Sequence, residues 1–384
     1  MQPAELPFRI TWILGLLQCC SAVPLMALQA TTLSAAQTES VVSSDEALRV
    51  DASSELQEMV PIDPDDELDM FNKHLQAALA ALPADSNSNA PCWILLGRTQ
   101  REYWFIAPLV ISLRESMLTL GLDVQVAWAG EDVKVLDGVK QAVQRGVTPI
   151  VISLSWWRPH SQANVRTVEQ VGKLGAYLVL YNSETNNENL RGTMVDATRF
   201  GAKEVWSHCL SAIPHYYYDN PAIIKRYFPP GCASGLVVDG VSQGASIRDE
   251  THLGFVGNWF RRPMNVKSAF NSSGSVRVML DGPGHLKPVK SAEQWRDYLE
   301  RFPIQLNVHS VWNYIEGLES VRLAVLLTNG ACVFSDRSSA DDEALWGGFV
   351  KFGDAPSVLK ELDALRSDPE AIRSCQQKQK ALFC

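Results

Sequence analysis

From residue 92 onward the chain repeats one unit: a short apolar run, then a helical-period stretch that often stops at glycine. CWILLG (92–97) is an apolar run ending in Gly, the pattern of a strand buried on both faces. The stretch after it places Phe105, Leu109, Leu113 and Met117 on one helical face. DVQVAWA (123–129) alternates as a strand, VLDGVKQAVQRG (135–146) is helical and stops at Gly146, and PIVISLSW (149–156) is again a strand. VRTVEQVGKLG (165–175) and YLVLYN (177–182) repeat the helix–strand pair. Neighbouring parallel strands need a helical crossover, so this alternation predicts a doubly wound α/β unit.

A second series follows the Pro/Gly-rich stretch at 229–249. LGFVG (253–257) and SVRVMLDG (275–282) read as strands, and SAEQWRDYLERF (291–302) as a helix with Ser291 at the N-cap. IQLNV (304–308) is a strand, GLESVRLAVLLTNG (317–330) a helix stopped by Gly330, and ACVFSD (331–336) a strand. Residues 356–383 form two helices divided at Asp368-Pro369. The expected architecture is two Rossmann-like domains facing a cleft, 92–228 and 250–384. With 384 residues, 46% of them hydrophobic, the chain has apolar material for two cores.

The first ninety residues differ. Residues 10–28 carry no charge, follow Arg9 and include Ser21, Ala22 and Pro24, so 1–30 reads as a signal peptide or a membrane anchor, with an organellar transit peptide as the rival. Residues 31–91 hold twelve acids against two bases, a net of −10, and read as a solvated acidic linker or stem with helical character at 64–82. The expected location is the secretory pathway, in the ER or Golgi lumen; a secreted or organelle-targeted protein is the alternative. The sequon Asn271-Ser272-Ser273 is compatible with a lumenal site. Glu5 and Arg9 cancel, so of the total −9 the remainder of the chain carries only +1. That excludes the strong basic field nucleic-acid binding needs. The eight cysteines show no C-x-x-C and no histidine at zinc spacing, so no metal site is expected.

Chemistry is expected at strand ends, where α/β sheets bind ligands. Gly257-Asn258-Trp259-Phe260-Arg261-Arg262 puts a small residue after a strand and two guanidinium groups beside it, a pattern suited to a diphosphate. Asn307 and His309 end the next strand, and Glu319 and Arg322 share a face in the first turns of the helix after it. An arginine there opposes the helix dipole, which an anion would explain. Tyr181-Asn182-Ser183-Glu184 ends a strand of the first domain, so Glu184 could face the cleft as a base or hold an acceptor hydroxyl. His208 and Arg98 lie at other strand ends, and each is more often structural. Ser335-Asp336 closes the last strand. No P-loop, no nucleophile elbow and no G-x-G-x-x-G after a strand occurs.

In order, YNSE (181–184), EVW (204–206), RYFPPG (226–231), LGFVGNWFRRP (253–263), LNVH (306–309) and ESVRLAVLLTNGACVFSD (319–336) resemble the GT-B glycosyltransferases, especially the group 1 type of C-terminal domain seen in spore-coat-like sugar transferases. The resemblance covers roughly 92–384. It implies transfer of a hexose from a nucleotide-diphosphate sugar to a hydroxyl on a glycan, lipid or protein, with no metal or other cofactor. It makes Arg261 or Arg262 the partner of the leaving diphosphate, and gives Glu319 and Arg322 the ribose and phosphate. It lines the sugar pocket with Asn307 and His309, turns Glu184 to the acceptor, and places Gly257, Asn258, Ser335 and Asp336 in the donor site. On this basis Glu184, Arg261 and Glu319 are the expected catalytic residues. The sequence departs from the family pattern in having Val325 five residues before Gly330, where many retaining members carry the second acid of E-x7-E, and Asp336 where the family has Glu. That departure supports the alternative, a catalytically inactive sugar- or nucleotide-binding scaffold of the same fold. A periplasmic-binding-type receptor fits less well, since that fold interleaves its domains and this chain reads as one domain after the other.

Overall fold

The alternation folds into two wholly parallel sheets. A computed structural model describes residues 91–96, 103–119, 121–127, 131–155, 162–183, 187–216, 220–238, 241, 252–257, 259, 262–272, 277–279, 292–310, 317–366 and 368–384. The leader, the stem with its helical stretch at 64–82, Arg98 and Ser291 lie outside the described residues. The first sheet is built from β1 (Pro91–Leu96), α1 (Tyr103–Thr119), β2 (Asp123–Ala127), α2 (Asp132–Gln144), β3 (Ile150–Ser155), α3 (Gln162–Lys173), β4 (Tyr177–Asn182), α4 (Asn187–Phe200), β5 (Glu204–Ser207) and β6 (Ile224–Tyr227). Its strands lie in the order β2-β1-β3-β4-β5-β6. The second contains β7 (His252–Phe255), α5 (Met264–Ser272), β8 (Arg277–Met279), α6 (Ala292–Arg301), β9 (Ile304–Asn307), α7 (Ser320–Thr328), β10 (Cys332–Ser335), α8 (Ala340–Trp346) and β11 (Lys351–Phe352), followed by α9 (Ala355–Arg366) and α10 (Pro369–Phe383). Its order is β11-β10-β9-β7-β8. Counted from its own first strand, each sheet therefore contains 2-1-3-4-5, and the order reverses between β1 and β3 and between β7 and β9. Such a reversal leaves a crevice at the carboxyl ends of the two strands.

Period-2 patterning explains why helices cover both faces. In the first sheet Trp93, Leu95, Val151, Leu178, Leu180 and Val205 pack with α2, α3 and α4. The alternate residues Cys92, Ile94, Ile152, Val179, Tyr181 and Trp206 pack with α1. In the second, Leu253, Phe255, Ile304, Leu306 and Phe334 meet α5, α9 and α10, and Val333 faces α6, α7 and α8. The expected class, α/β with parallel sheets, is the one observed. The strands β6 and β11 and the helices α4, α5 and α8 are additions to the elements expected from the sequence. β11 is only two residues long, and β6 has no fully buried residue, so neither carries an apolar pattern.

EVW (204–206) has a structural role. Glu204 is wholly buried, and its carboxylate accepts from Tyr177 Oη (2.7 Å), Trp206 Nε1 (2.6 Å) and Arg226 Nε (2.8 Å). The arginine of RYFPPG therefore serves a carboxylate inside the first sheet.

Two disulfides, which the cysteine spacing had not revealed, join Cys332 to Cys375 and Cys232 to Cys384. Hydrogen bonds from three side chains of the second segment tie it to the first. Trp346 Nε1 donates to Tyr227 Oη (2.7 Å), Ser320 Oγ donates to the His208 carbonyl (2.7 Å), and Asp342 accepts from Ser211 Oγ (2.9 Å) and Leu210 N (3.3 Å). Asp342 has no exposed surface, and the Leu318 N–H also points to it, so it fixes the approach to α7.

Candidate functional site

The order reversal between β7 and β9 brings together most of the residues expected from the sequence. β7 runs out through Phe255 and Val256 to Gly257, whose φ of 144° lies in the region that favours glycine. A Cβ on Gly257 would lie 3.1 Å from an Arg262 guanidinium nitrogen, 3.2 Å from one of Arg322 and 3.2 Å from the Phe255 ring. Both guanidinium carbons lie over that ring, at 5.2 Å for Arg262 and 5.3 Å for Arg322. The aromatic face offers each cation a favourable site away from water.

Arg322 belongs to the first turn of α7, where the dipole opposes a cation. Its partners explain why it is there. One nitrogen donates to Asn307 Oδ1 (2.8 Å), and another pairs with Glu319 Oε2. Glu319 is the residue before the helix, but its carboxylate makes no cap bond and turns to the arginines. The Arg262 guanidinium stands 3.8 Å from the same oxygen. Burial opposes the Glu319 charge, yet Arg322 and Arg262, aided by His309 and His208, outweigh it and hold the carboxyl down to about 2.

Asn307 has no exposed surface and spends its amide on Ser335 Oγ (2.9 Å) and its carbonyl on Arg322. It and Ser335 are braces that aim Arg322. His309 follows β9 and is 6% exposed. Its Nδ1 meets Asp336 Oδ1 at 2.5 Å, and its backbone N–H also reaches the Asp336 carboxylate (3.1 Å). Nε2 is buried without a hydrogen-bond partner among the described residues. Burial alone would lower the His309 pKa, but the hydrogen bond and charge of Asp336, with Glu319 behind them, raise it above the ordinary histidine value.

The first sheet contributes His208, which follows β5 and is buried. Burial lowers its pKa, against the Asn182 carbonyl and the charges of Glu319 and Asp342. Its electrostatic coupling to Glu319 places the ends of both sheets around one carboxylate. The sequence had marked His208 only as a strand-end residue, and had passed over Phe255, Ser320 and Asp342. Phe255 was detectable as an aromatic one pleat before the loop glycine, and Asp342 only as the acid three residues after the N-cap Ser339; Ser320 carries no local signal.

Gly257, Arg262, Asn307, His309, Glu319, Arg322, Ser335 and Asp336 thus form one contiguous group. Glu184, Asn258 and Arg261 lie outside the described residues. Among the described residues, no three His, Cys, Asp or Glu side chains are grouped to hold a metal ion, and no helix is long and apolar enough to cross a membrane. Two guanidinium groups beside a glycine loop and a helix N-terminus are chemistry suited to an oxyanion, met here by the Glu319 carboxylate. No protein-family model matches the chain, and no curated protein matches it either.

Proposed function

We propose that the chain is a glycosyltransferase that moves a hexose from a nucleotide-diphosphate sugar to an acceptor hydroxyl, with no metal required. In this reading the two sheets are the Rossmann-like domains of a GT-B architecture, the first facing the acceptor and the second holding the donor. One observation carries it: Arg262 and Arg322 converge on the Gly257 loop at the strand-order reversal of the second sheet, beside the N-terminus of α7. In transfer, the bond from the anomeric carbon to the diphosphate is replaced by one to the acceptor oxygen. The acceptor loses its proton and the nucleoside diphosphate departs. Charge accumulates on the departing oxygens, where fixed cations in a site shielded from water are most effective. Glu184, two residues beyond β4 in the sequence, would serve the acceptor, and Arg261, next to Arg262, would add a third cation.

The two disulfides support an oxidising compartment, consistent with a signal or anchor at 1–30 and with an ER or Golgi lumen. The near-neutral charge beyond the stem supports partners other than nucleic acid.

The test is calorimetry with UDP and GDP, followed by a donor-hydrolysis and transfer assay with their hexose conjugates. Wild type should bind a nucleoside diphosphate. Arg322→Ala should weaken binding at least tenfold, because a buried charge-assisted contact is worth about 1.5–3 kcal/mol. Absence of binding by every nucleotide tried would overturn the reading. A second reading, the silent scaffold, has its own observation: Glu319 already occupies both guanidinium groups, and Val325 stands where a second acid is found in retaining enzymes. Binding without turnover would favour it.

A further inference from the structure

The pair His309–Asp336 fixes one ring nitrogen and leaves the other without a hydrogen-bond partner among the described residues. Asp336 holds the ring at Nδ1 and also accepts the His309 backbone N–H, so ring and main chain are fixed by one carboxylate. Nε2, on the opposite side of the ring, is buried and has no hydrogen-bond partner among the described residues. A buried ring nitrogen left in this state is costly, because it has given up its bond to water and gained none in return. In the neutral ring with Nδ1–H donated to Asp336, Nε2 is an orphan acceptor; in the imidazolium it is an orphan donor. The charges around the ring favour the second form. Asp336 touches it and Glu319 lies within electrostatic reach, while Arg322 from the same helix turn opposes them. Arg262 and His208 complete the charged surroundings through their coupling to Glu319.

We propose that His309 binds as an imidazolium and donates Nε2–H to an oxygen of the nucleotide's diphosphate, alongside Arg322, so that donor binding is coupled to one proton. This rests on the nucleotide-sugar reading and adds to its arginines a cationic contact that can be switched off. The two arginines stay charged at any working pH, whereas the histidine discharges as pH rises. The imidazolium is bonded on both sides once the ligand is present, through Asp336 at Nδ1 and the phosphate at Nε2. Loss of the proton removes the donor and leaves two lone pairs facing each other, so affinity falls. Asp336 is the positioning residue: it sets the ring orientation and keeps the proton on.

The test measures UDP and GDP binding by calorimetry from pH 5.5 to 9 in buffers of different ionisation enthalpy. Wild type should take up a fraction of a proton on binding, and above the histidine's midpoint affinity should fall by about tenfold per pH unit. His309→Gln keeps a donor but cannot titrate. It should bind more weakly at low pH and show only the dependence that belongs to the ligand's own phosphate. Asp336→Asn should bind at low pH and lose affinity at a lower pH than wild type, since the ring loses its counter-charge. The ring's own titration in the free protein, followed by NMR, gives the midpoint independently and should fall in Asp336→Asn. Nucleotide binding with identical pH profiles and proton uptake in wild type and His309→Gln would overturn the dyad and leave the nucleotide reading intact. Failure of wild type to bind any nucleotide at any pH would overturn both.

Discussion

Gly257 shows how one residue shapes the site by lacking an atom. Its φ of 144° is strained for any L side chain, and the space a Cβ would fill is bounded by Arg262, Arg322 and Phe255. Gly257→Ala should cost about 1–3 kcal/mol through the backbone alone and push the guanidinium groups off the Phe255 ring. Thermal denaturation and UDP or GDP calorimetry should both register the loss; an alanine variant that melts and binds as wild type does would show the loop is not tightly fitted. Glu319 works in the opposite sense, as a resident anion over two buried cations. Its carboxyl is depressed in the folded state from 4.5 to about 2, so its contribution is complete above the unfolded value and fades as pH falls through that interval. Urea titrations between pH 2 and 6 should show a shallower acid loss in Glu319→Gln than in wild type, by up to about 3 kcal/mol. Equal slopes in the two proteins would mean the carboxylate is solvated.

At the scale of elements, α7 is the organising piece. Gly330 ends it with a φ of 73°, as its position after an apolar helix led one to expect. Its first turn is held from three directions: by Asn307 on β9 through Arg322, by His208 beyond β5 through Ser320, and by Asp342 through Leu318. The sequence announced the helix and the odd placement of Arg322, because periodicity and dipole are local. It could not announce the three tethers, which join residues 15, 112 and 24 positions apart. The same distinction holds for α10. Asp368 was legible as a boundary and caps the helix by accepting from the Glu370 and Ala371 N–H groups, each at 3.0 Å. The bond from Cys375 on that helix to Cys332 on β10 closes a loop across 43 residues and was not legible. Replacing both cysteines by alanine should lower unfolding free energy by about 2–5 kcal/mol. Denaturant titration of the double variant checks this, and an unchanged midpoint would mean the pair is reduced in the protein as purified.

At the scale of the molecule, the two sheets share a strand order and differ in what they place at their reversals. In the second sheet that crevice collects Gly257 and Arg262 after β7, Asn307 at the end of β9 and His309 just beyond it. Those residues could be named in advance because a strand end and the start of the next helix are visible as breaks in hydrophobic period. Their division of labour could not. Asn307 reads as a pocket residue in one dimension and is a fully buried brace in three. His208 reads as structural and joins the electrostatics of Glu319 across the two sheets. The Cys232–Cys384 bond and the clamp of Asn329 on Leu236 and Val238 tie the stretch between the sheets to the second half, at distances along the chain that no local pattern encodes. The sequence by itself determined the class of fold, the parallel strands and the strand ends at which the candidate site residues gather. Those follow from which side chains leave water, and that choice is written residue by residue in periods of 2 and 3.6. Only the tertiary structure decided which charges meet, which carboxylate neutralises which arginine and which ring nitrogen is left without a partner. Coulomb and hydrogen-bond energies depend on separations of a few ångströms between groups the chain holds far apart, and packing alone brings them into range.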